Sequence, residues 1–407
     1  MRAAPRWIAC YAILGLVQSG MVPIILPLAA APGPTSGFTY AAFAASGVAA
    51  PFVGAWSDRH RRHRATLVAG LILAALASFA HALPGDVSQH MLSAAAIGLG
   101  VSSASTVATM FIVEVEPQTQ WDGLIGILQA FMSGGQLLGL LLAGVLGLRH
   151  TADALVLCGV LLLLAVPVAL RYAPDPVVVV SRPELRPRPP RSGDAAAIGA
   201  QRQFHRITRE AIAGLAHSGL AWFLGSWLLS YTATNGLSVM IAVVMVRSYG
   251  SDATLPTTAY AIGVGLSLLL YSRVASWDTR LGAWKVMRAG LAIRAVLVAL
   301  MLALSFDRGS VVVLPLLACF AATQVVWPLL SVSSTALAVT LSPARRAESV
   351  GLLNASSSLG ATVGGIAAGL LLSGGFALLC ATVLGALLIA LVLAYHPHVR
   401  LRAPQPA

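Results

Sequence analysis

Gly54-Ala55-Trp56-Ser57-Asp58-Arg59-His60-Arg61-Arg62-His63-Arg64 is a charge-dense segment set between two long apolar runs. A weaker copy lies about 221 residues further on. There Val274-Ala275-Ser276-Trp277-Asp278-Thr279-Arg280 repeats the Val, Trp and Arg of Val53–Arg59, with Asp shifted by one place. A second echo, at a spacing of about 226, sets Pro117 on Pro343, Asp122 on Glu348, Gly134 on Gly360 and Gly139 on Gly365. Two echoes at nearly one spacing indicate a chain built of two related halves.

Working outward, the flanking sequence is too apolar for water. Hydrophobic residues make up 57% of the 407, only 10% are charged, and the mean hydropathy is +0.83. Soluble domains carry roughly 25% charged residues, so a large Ala-rich soluble enzyme is excluded. The net charge of +12 is no sign of nucleic acid, because the positive residues sit in short loops between apolar spans. Cys10, Cys158, Cys319 and Cys380 are far apart and lie in or beside those spans. They read as small buried hydrophobes, with neither a disulfide framework nor a metal site. Lys285 is the sole Lys among many Arg, a usage expected of a GC-rich bacterial genome.

A helix needs about 20 apolar residues to cross the hydrocarbon core. Runs of that kind lie near 7–31, 38–57, 65–83, 91–113, 123–147, 153–172, 219–246, 254–275, 286–305, 310–339, 349–373 and 376–395. The first is too long for a signal h-region and is interrupted by Gln18, Pro23 and Pro27, so it is expected to be retained. With the N-terminus inside, about 22 of the 26 Lys and Arg fall on the cytoplasmic side. Only Arg149, Arg247 and Arg308 fall outside, and Arg294 lies within a span. That asymmetry places both termini in the cytoplasm and supports an even number of spans.

The one long connection, 173–218, interleaves Pro183, Pro187, Pro189 and Pro190 with Arg182, Arg186, Arg188 and Arg191. It reads as an extended, solvated cytoplasmic linker. Residues 195–213 could form an interfacial helix on the anionic leaflet. The domains are then 1–172, an N-terminal six-helix bundle, the linker, and 219–407, a C-terminal six-helix bundle.

Six spans, a basic loop and six more spans resemble the major facilitator superfamily of secondary transporters. The loop between the second and third spans of that family reads G-x-x-x-D-R-x-G-R-R, and Gly54, Asp58, Arg59 and Arg62 match it. Arg61 stands where the family has its second Gly, and His63 stands at a basic position. The resemblance implies an all-α membrane protein, with twelve transmembrane helices in two pseudo-symmetric bundles. It also implies a cytoplasmic gate in which Gly54, Asp58, Arg59 and Arg62 meet the start of the eleventh span, beside Arg345 and Arg346. The mirror contact would join Asp278 or Arg280 to the end of the fourth span, where Glu114 and Glu116 lie. Gly134, Gly135 and Gly139 in the fifth span loosely resemble the glycine-rich motif of family exporters, without its usual Gly-Pro pair.

In this fold the first, fourth, seventh and tenth spans line a central cavity near the bilayer midplane. Their candidate binding residues are Gln18, Ser103, Tyr231, Asn235, Gln324 and Trp327. Gln18 and Asn235 stand at corresponding places in the two halves, and an amide in a bilayer span needs partners. Gln129 and Gln136 on the fifth span are second choices. No carboxylate lies near the middle of any span, so Glu114 is the candidate for proton coupling. Arg294, six residues beyond Arg288, is expected to snorkel to the inner surface from a peripheral helix.

The function expected is a monomeric secondary transporter in the inner (cytoplasmic) membrane of a bacterium. It would move a small neutral or amphipathic solute, outward, by alternating access, without a cofactor, metal or nucleic acid. Import of an organic anion, and a lipid flippase or biosynthetic membrane protein, stand as alternatives. No H-E-x-x-H, G-x-S-x-G or P-loop pattern is present, so no hydrolase or ATPase site is expected.

Overall fold

The computed structural model describes residues 5–30, 34–49, 52–53, 56–57, 60–115, 121–146, 150–174, 219–307, 309–341 and 346–395, with backbone only at 109–110, 113–115, 121–123, 125–126, 129, 272, 275, 310, 339 and 346–351. The linker, its candidate interfacial helix at 195–213, and Gly54, Asp58, Arg59, Glu116 and Arg345 lie outside the described residues.

Among the described residues the regular structure is all helical. In chain order the helices are α1 (Arg6–Ala29), α2 (Pro34–Ala45, extended by a 3-10 turn Ser46–Ala49), α3 (His63–Ala82) and α4 (Val87–Val115). Then come α5 (Trp121–Leu146), α6 (Thr151–Tyr172), α7 (Gly219–Tyr249), α8 (Thr254–Leu281) and α9 (Ala283–Leu304). α10 covers 313–341 in two segments, Val313–Val325 and Trp327–Leu341; α11 (Arg346–Leu371) and α12 (Phe376–Ala394) complete the chain. Ten of the helical stretches are long and apolar enough to cross a membrane. Their outer faces carry bare Leu269, Val296 and Val392, each at least 60% exposed. Hydrocarbon is the solvent that tolerates such a surface. The face bearing Pro5 and Tyr395 is called the terminal face below, and the face bearing Ala30 and Gly250 the opposite face.

The helix pairings repeat. α1 packs on α5 and α6, α2 on α4, and α3 on α4 and α6. Likewise α7 packs on α11 and α12, α8 on α10, and α9 on α10 and α12. Adding six to each label turns the first set into the second. Between the sets, α2 packs on α11, α8 on α5, and α1 on α7.

Glycine sets how close these pairs come. A Cβ on Gly135 would strike the Ala12 carbonyl and the Leu16 nitrogen; one on Gly139 would strike the Leu16 carbonyl and Gly20. The second set has the same arrangement, with Gly360 on Leu228 and Thr232, and Gly364 on Thr232 and Gly236. These contacts correct the second echo by one residue. Gly135 corresponds to Gly360 and Gly139 to Gly364, because the contacts match there and Gly134 touches nothing. By the same contacts Ser19, and not Gln18, is the counterpart of Asn235.

Two local features depart from a plain helix. α1 opens into a π-type turn over Gly15–Met21, where Val22 N–H donates to the Val17 carbonyl. Pro23 has no N–H for the Ser19 carbonyl, and the wider turn takes up that mismatch while turning Gln18 and Ser19 inward. At the terminal face Arg61 has φ +50°, the left-handed conformation that a Gly would adopt without strain. Arg61 stands where the resembled motif has its second Gly, and it takes a conformation that a Gly takes readily. His63, at the motif's basic position, is fully buried and shares a 2.9 Å hydrogen bond with Ser57 Oγ.

The glycine contacts make a paired prediction. Gly135→Ala should destabilise the detergent-purified protein by about 1–3 kcal/mol, the usual cost of overpacking. Gly134→Ala, one residue away with open space around it, should leave the thermal midpoint unchanged.

Candidate functional site: a central cavity between the two helix sets

A cavity of about 320 Å³ lies between the sets, at mid-height and toward the terminal face. α1 contributes Gln18, Ser19 and Pro23; α7 contributes Tyr231, Thr234, Asn235 and Ser238; α10 contributes Gln324 and Trp327. α10 breaks at Val326, ahead of Pro328, and the break separates Gln324 from Trp327 while keeping both at the cavity.

The chemistry of the wall is divided. Trp227, Tyr231 and Trp327 form a triangle of rings with centroids 5.7–5.9 Å apart. Trp227 Nε1 donates to Ser357 Oγ at 2.8 Å, which fixes the triangle to α11. Facing it are amides. Gln324 Nε2 donates to Ser238 Oγ and Thr323 Oγ1, both at 3.2 Å. The Asn235 amide also bonds Tyr40, while Gln18 Oε1 and Asn235 Oδ1 are buried acceptors that meet no hydrogen-bond donor among the described residues. A buried amide oxygen left unpaired costs free energy, so both are set to accept from a ligand or water.

Five of the six sequence-chosen binding residues thus meet at one cavity. Ser103 does not. It is 7% exposed and donates to the Leu99 carbonyl of its own helix at 2.6 Å, as hydroxyls in apolar helices commonly do. Only Ser102 represents α4. Gln136 lines the cavity from α5, and the Gln129 side chain lies outside the described residues.

The cavity also takes residues from helices that the sequence argument had set aside. Tyr40 and Phe43 enter from α2, Ser358 from α11, and Tyr260, Val264, Ser267 and Tyr271 from α8. The α8 four recur at helical spacing on one face. That polar and aromatic stripe, in an otherwise aliphatic helix, was the available signal.

Arg294 overturns its expectation. It is 1% exposed and points into the second helix set instead of snorkelling outward. Its Nε and Nη2 both donate to the Thr323 carbonyl, at 3.1 and 2.9 Å, and Nη1 donates to Thr234 Oγ1 at 2.8 Å. The guanidinium carbon lies 5.2 Å from the Trp327 ring centroid. The break in α10 supplies the reason: with no regular turn through Val326, the Thr323 carbonyl accepts from the guanidinium.

At the opposite face the sets are joined. Arg247 Nη2 donates to the Ala30 carbonyl at 3.1 Å, and Thr254 Oγ1 to the Gly144 carbonyl at 3.2 Å. Gly37 of α2 lies backbone-to-backbone on Gly369 of α11. Among the described residues no hydrogen bond joins the sets at the terminal face. The hydrogen bonds that join the sets among the described residues therefore lie at the opposite face.

The gate residues fare unevenly. Arg62 is exposed, and its carbonyl accepts from Thr66 Oγ1 at 2.9 Å. Asp278 Oδ1 accepts from Ser333 Oγ of α10 at 2.6 Å, a contact within its own set, and Arg280 is exposed. That bond ties α8 to α10; the partners of the expected mirror contact, Glu116 and the side chain of Glu114, lie outside the described residues. Partial burial raises the Asp278 carboxyl above the usual carboxylate range, against the lowering effect of the Ser333 bond. The side chains of Glu114 and Arg346 lie outside the described residues.

Paired helix sets around a closed-end polar cavity define a multi-pass membrane transport architecture. The model of the Major Facilitator Superfamily matches residues 7–332, and the chain belongs to that family of transporters. No curated protein matches it. Solved structures share the fold at low identity. The D-xylose-proton symporter is 14% identical, with a TM-score of 0.71 over 96% of this chain and 95% of that one. The nucleoside transporter NupG is 14% identical, with a TM-score of 0.67 over 96% of each chain. A bacterial homologue of the iron transporter ferroportin, in an inward-facing state, is 18% identical, with a TM-score of 0.69 over 96% and 95%.

The closed face can be tested by itself. Arg247→Gln removes a charge-assisted hydrogen bond, worth about 1.5–3 kcal/mol. That should lengthen the distance between spin labels at Leu83→Cys and Phe306→Cys, two exposed positions on the opposite face. An unchanged distance distribution would show that this bond does not hold the face shut.

Proposed function

We propose that the protein moves a small amphipathic solute across the cytoplasmic membrane by alternating access. Twelve spanning helices in two bundles, 1–172 and 219–407, would rock about the central cavity, with 173–218 as the cytoplasmic tether. The terminal face is then cytoplasmic, in keeping with the positive charge of its loops.

One observation carries this reading. Two unpaired amide oxygens, Gln18 Oε1 and Asn235 Oδ1, lie in a cavity walled by Tyr231 and Trp327 and lined by both helix sets. A solute with a ring and a hydrogen-bond donor satisfies both surfaces at once. Because both sets line the cavity, closing it at one face and opening it at the other requires only that the sets tilt. The α5 glycines, matched in α11, account for helix packing and carry no argument for export over import.

The cytoplasmic gate is assigned to Gly54, Asp58, Arg59 and Arg62 meeting the start of α11, beside Arg345 and Arg346. An acid at Asp58 gains nothing from the topology rule, and a helix start offers it partial positive charge. Coupling, if protons drive the cycle, is assigned to Glu114, since the cavity is lined by no carboxylate or His among the described residues.

A thermal-stabilisation screen of purified protein against amphipathic solutes identifies the ligand. Gln18→Ala and Asn235→Ala should each weaken its binding about fivefold, the worth of one net hydrogen bond. Unchanged affinity in both variants would move the site elsewhere. Uptake into proteoliposomes should follow an imposed pH gradient and lose that response in Glu114→Gln; an unaltered response clears Glu114.

A further inference from the structure

Arg294 is the single charged residue at the midpoint of any described helix. The acids on the helices, Glu114, Asp122, Asp153, Asp278 and Glu348, all sit within the last turn or so of a helix end. Among the described residues no carboxylate lies within salt-bridge distance of Arg294. A guanidinium stays charged in proteins. Its hydrogen bonds go to a carbonyl and a hydroxyl, both neutral, and its flat face lies against an indole. The net positive charge is therefore solvated by dipoles and not cancelled.

The cavity is one hydroxyl away. Thr234, which accepts from Arg294, itself lines the cavity, and so does Trp327 beside the guanidinium. Thr234 Oγ1 donates onward to the Ser230 carbonyl at 2.7 Å, so the hydroxyl is fixed and does not turn its proton to the cavity. A buried unit charge several ångströms behind such a wall is poorly screened by salt.

We infer that the solute is an anion, an amphipathic carboxylate or similar acid, whose countercharge is Arg294 behind the Thr234–Trp327 wall. This rests on the transport reading and narrows it: of the amphipathic solutes that fit the cavity, acids are selected and amines excluded. At an effective dielectric of about 20, a charge at such a distance favours an anion over a neutral group of equal shape by ~10–100-fold. Arg294 acts on the solute through the field and through the placement of Thr234 and Trp327, and is a positioning and specificity-determining residue.

The experiment reads the sign of the cavity potential without needing the natural solute. A thiol is placed in the cavity by Asn235→Cys, with Cys319→Ser; the other cysteines are fully buried. Rates of mixed-disulfide formation, with release of methanesulfinate, are measured with sulfonatoethyl (anionic), trimethylammonioethyl (cationic) and methyl (neutral) methanethiosulfonates, each divided by its rate with free cysteine. The anionic reagent should be favoured over the cationic by at least ~10-fold. The ratio should fall near one in Arg294→Gln and be largely kept in Arg294→Lys. Reaction with the neutral reagent but a wild-type ratio at or below one overturns the inference and leaves the transport reading intact. An unchanged ratio in Arg294→Gln assigns the potential to another group and also overturns it. If Arg294→Gln does not fold, the wild-type ratio and its retention in Arg294→Lys decide. Protection from all three reagents would mean a sealed cavity, against both readings.

Discussion

Helices in hydrocarbon gain nothing by hiding apolar surface, so backbone approach must hold this molecule together. Gly135 and Gly139 let α5 lie on α1, and Gly360 and Gly364 let α11 lie on α7. Gly37 and Gly369 let α2 of one set touch α11 of the other. The first two contacts build each set internally and in the same way; the third joins the sets at the opposite face. Stability and mobility therefore come from one kind of contact, used in two places.

That division explains the cavity. Close packing within each set leaves polar groups at the seam between sets, where no neighbouring helix meets them. Some find partners across the wall, as Gln324 does with Ser238 and Trp227 with Ser357. Gln18 Oε1 and Asn235 Oδ1 do not. In a bilayer such atoms are expensive, and a seam that opens to water or solute in each cycle is the place where they can be tolerated. Arg294 follows the same logic one layer deeper: the broken α10 exposes a carbonyl, and the cation that meets it stands beside the cavity.

Much of this was legible in the residues. Long apolar runs, the placement of Arg in alternate loops and the motif around Asp58 gave the helix order and the family. Gln18, Asn235 and Gln324 stood out because amides are costly in a span, and the structure brings them to one cavity. What escaped has physical causes. Ser103 was chosen for the fourth span, but a hydroxyl can satisfy itself on its own helix, and the sequence does not show which serine does. Tyr260 and Tyr271 were passed over because α8 was not counted among the lining helices, although their spacing with Ser267 marks a face. Arg294 misled because snorkelling depends on which way a side chain points around a helix, and its direction was set by a break in a different helix. The second echo was one residue out because glycine is common enough to align with the wrong glycine; only contacts chose between Gly134 and Gly135.

The central claim is that the two helix sets separate at the opposite face during each cycle. At that face Gly144 of α5 meets Thr257 of α8, where a Cβ on the glycine would lie 3.3 Å from the Thr257 Cβ, so the two can be changed to a cysteine pair and joined by oxidation. Solute flux through proteoliposomes carrying the joined protein should stop and return on reduction. Flux at the unjoined rate with the pair fully oxidised would contradict the account.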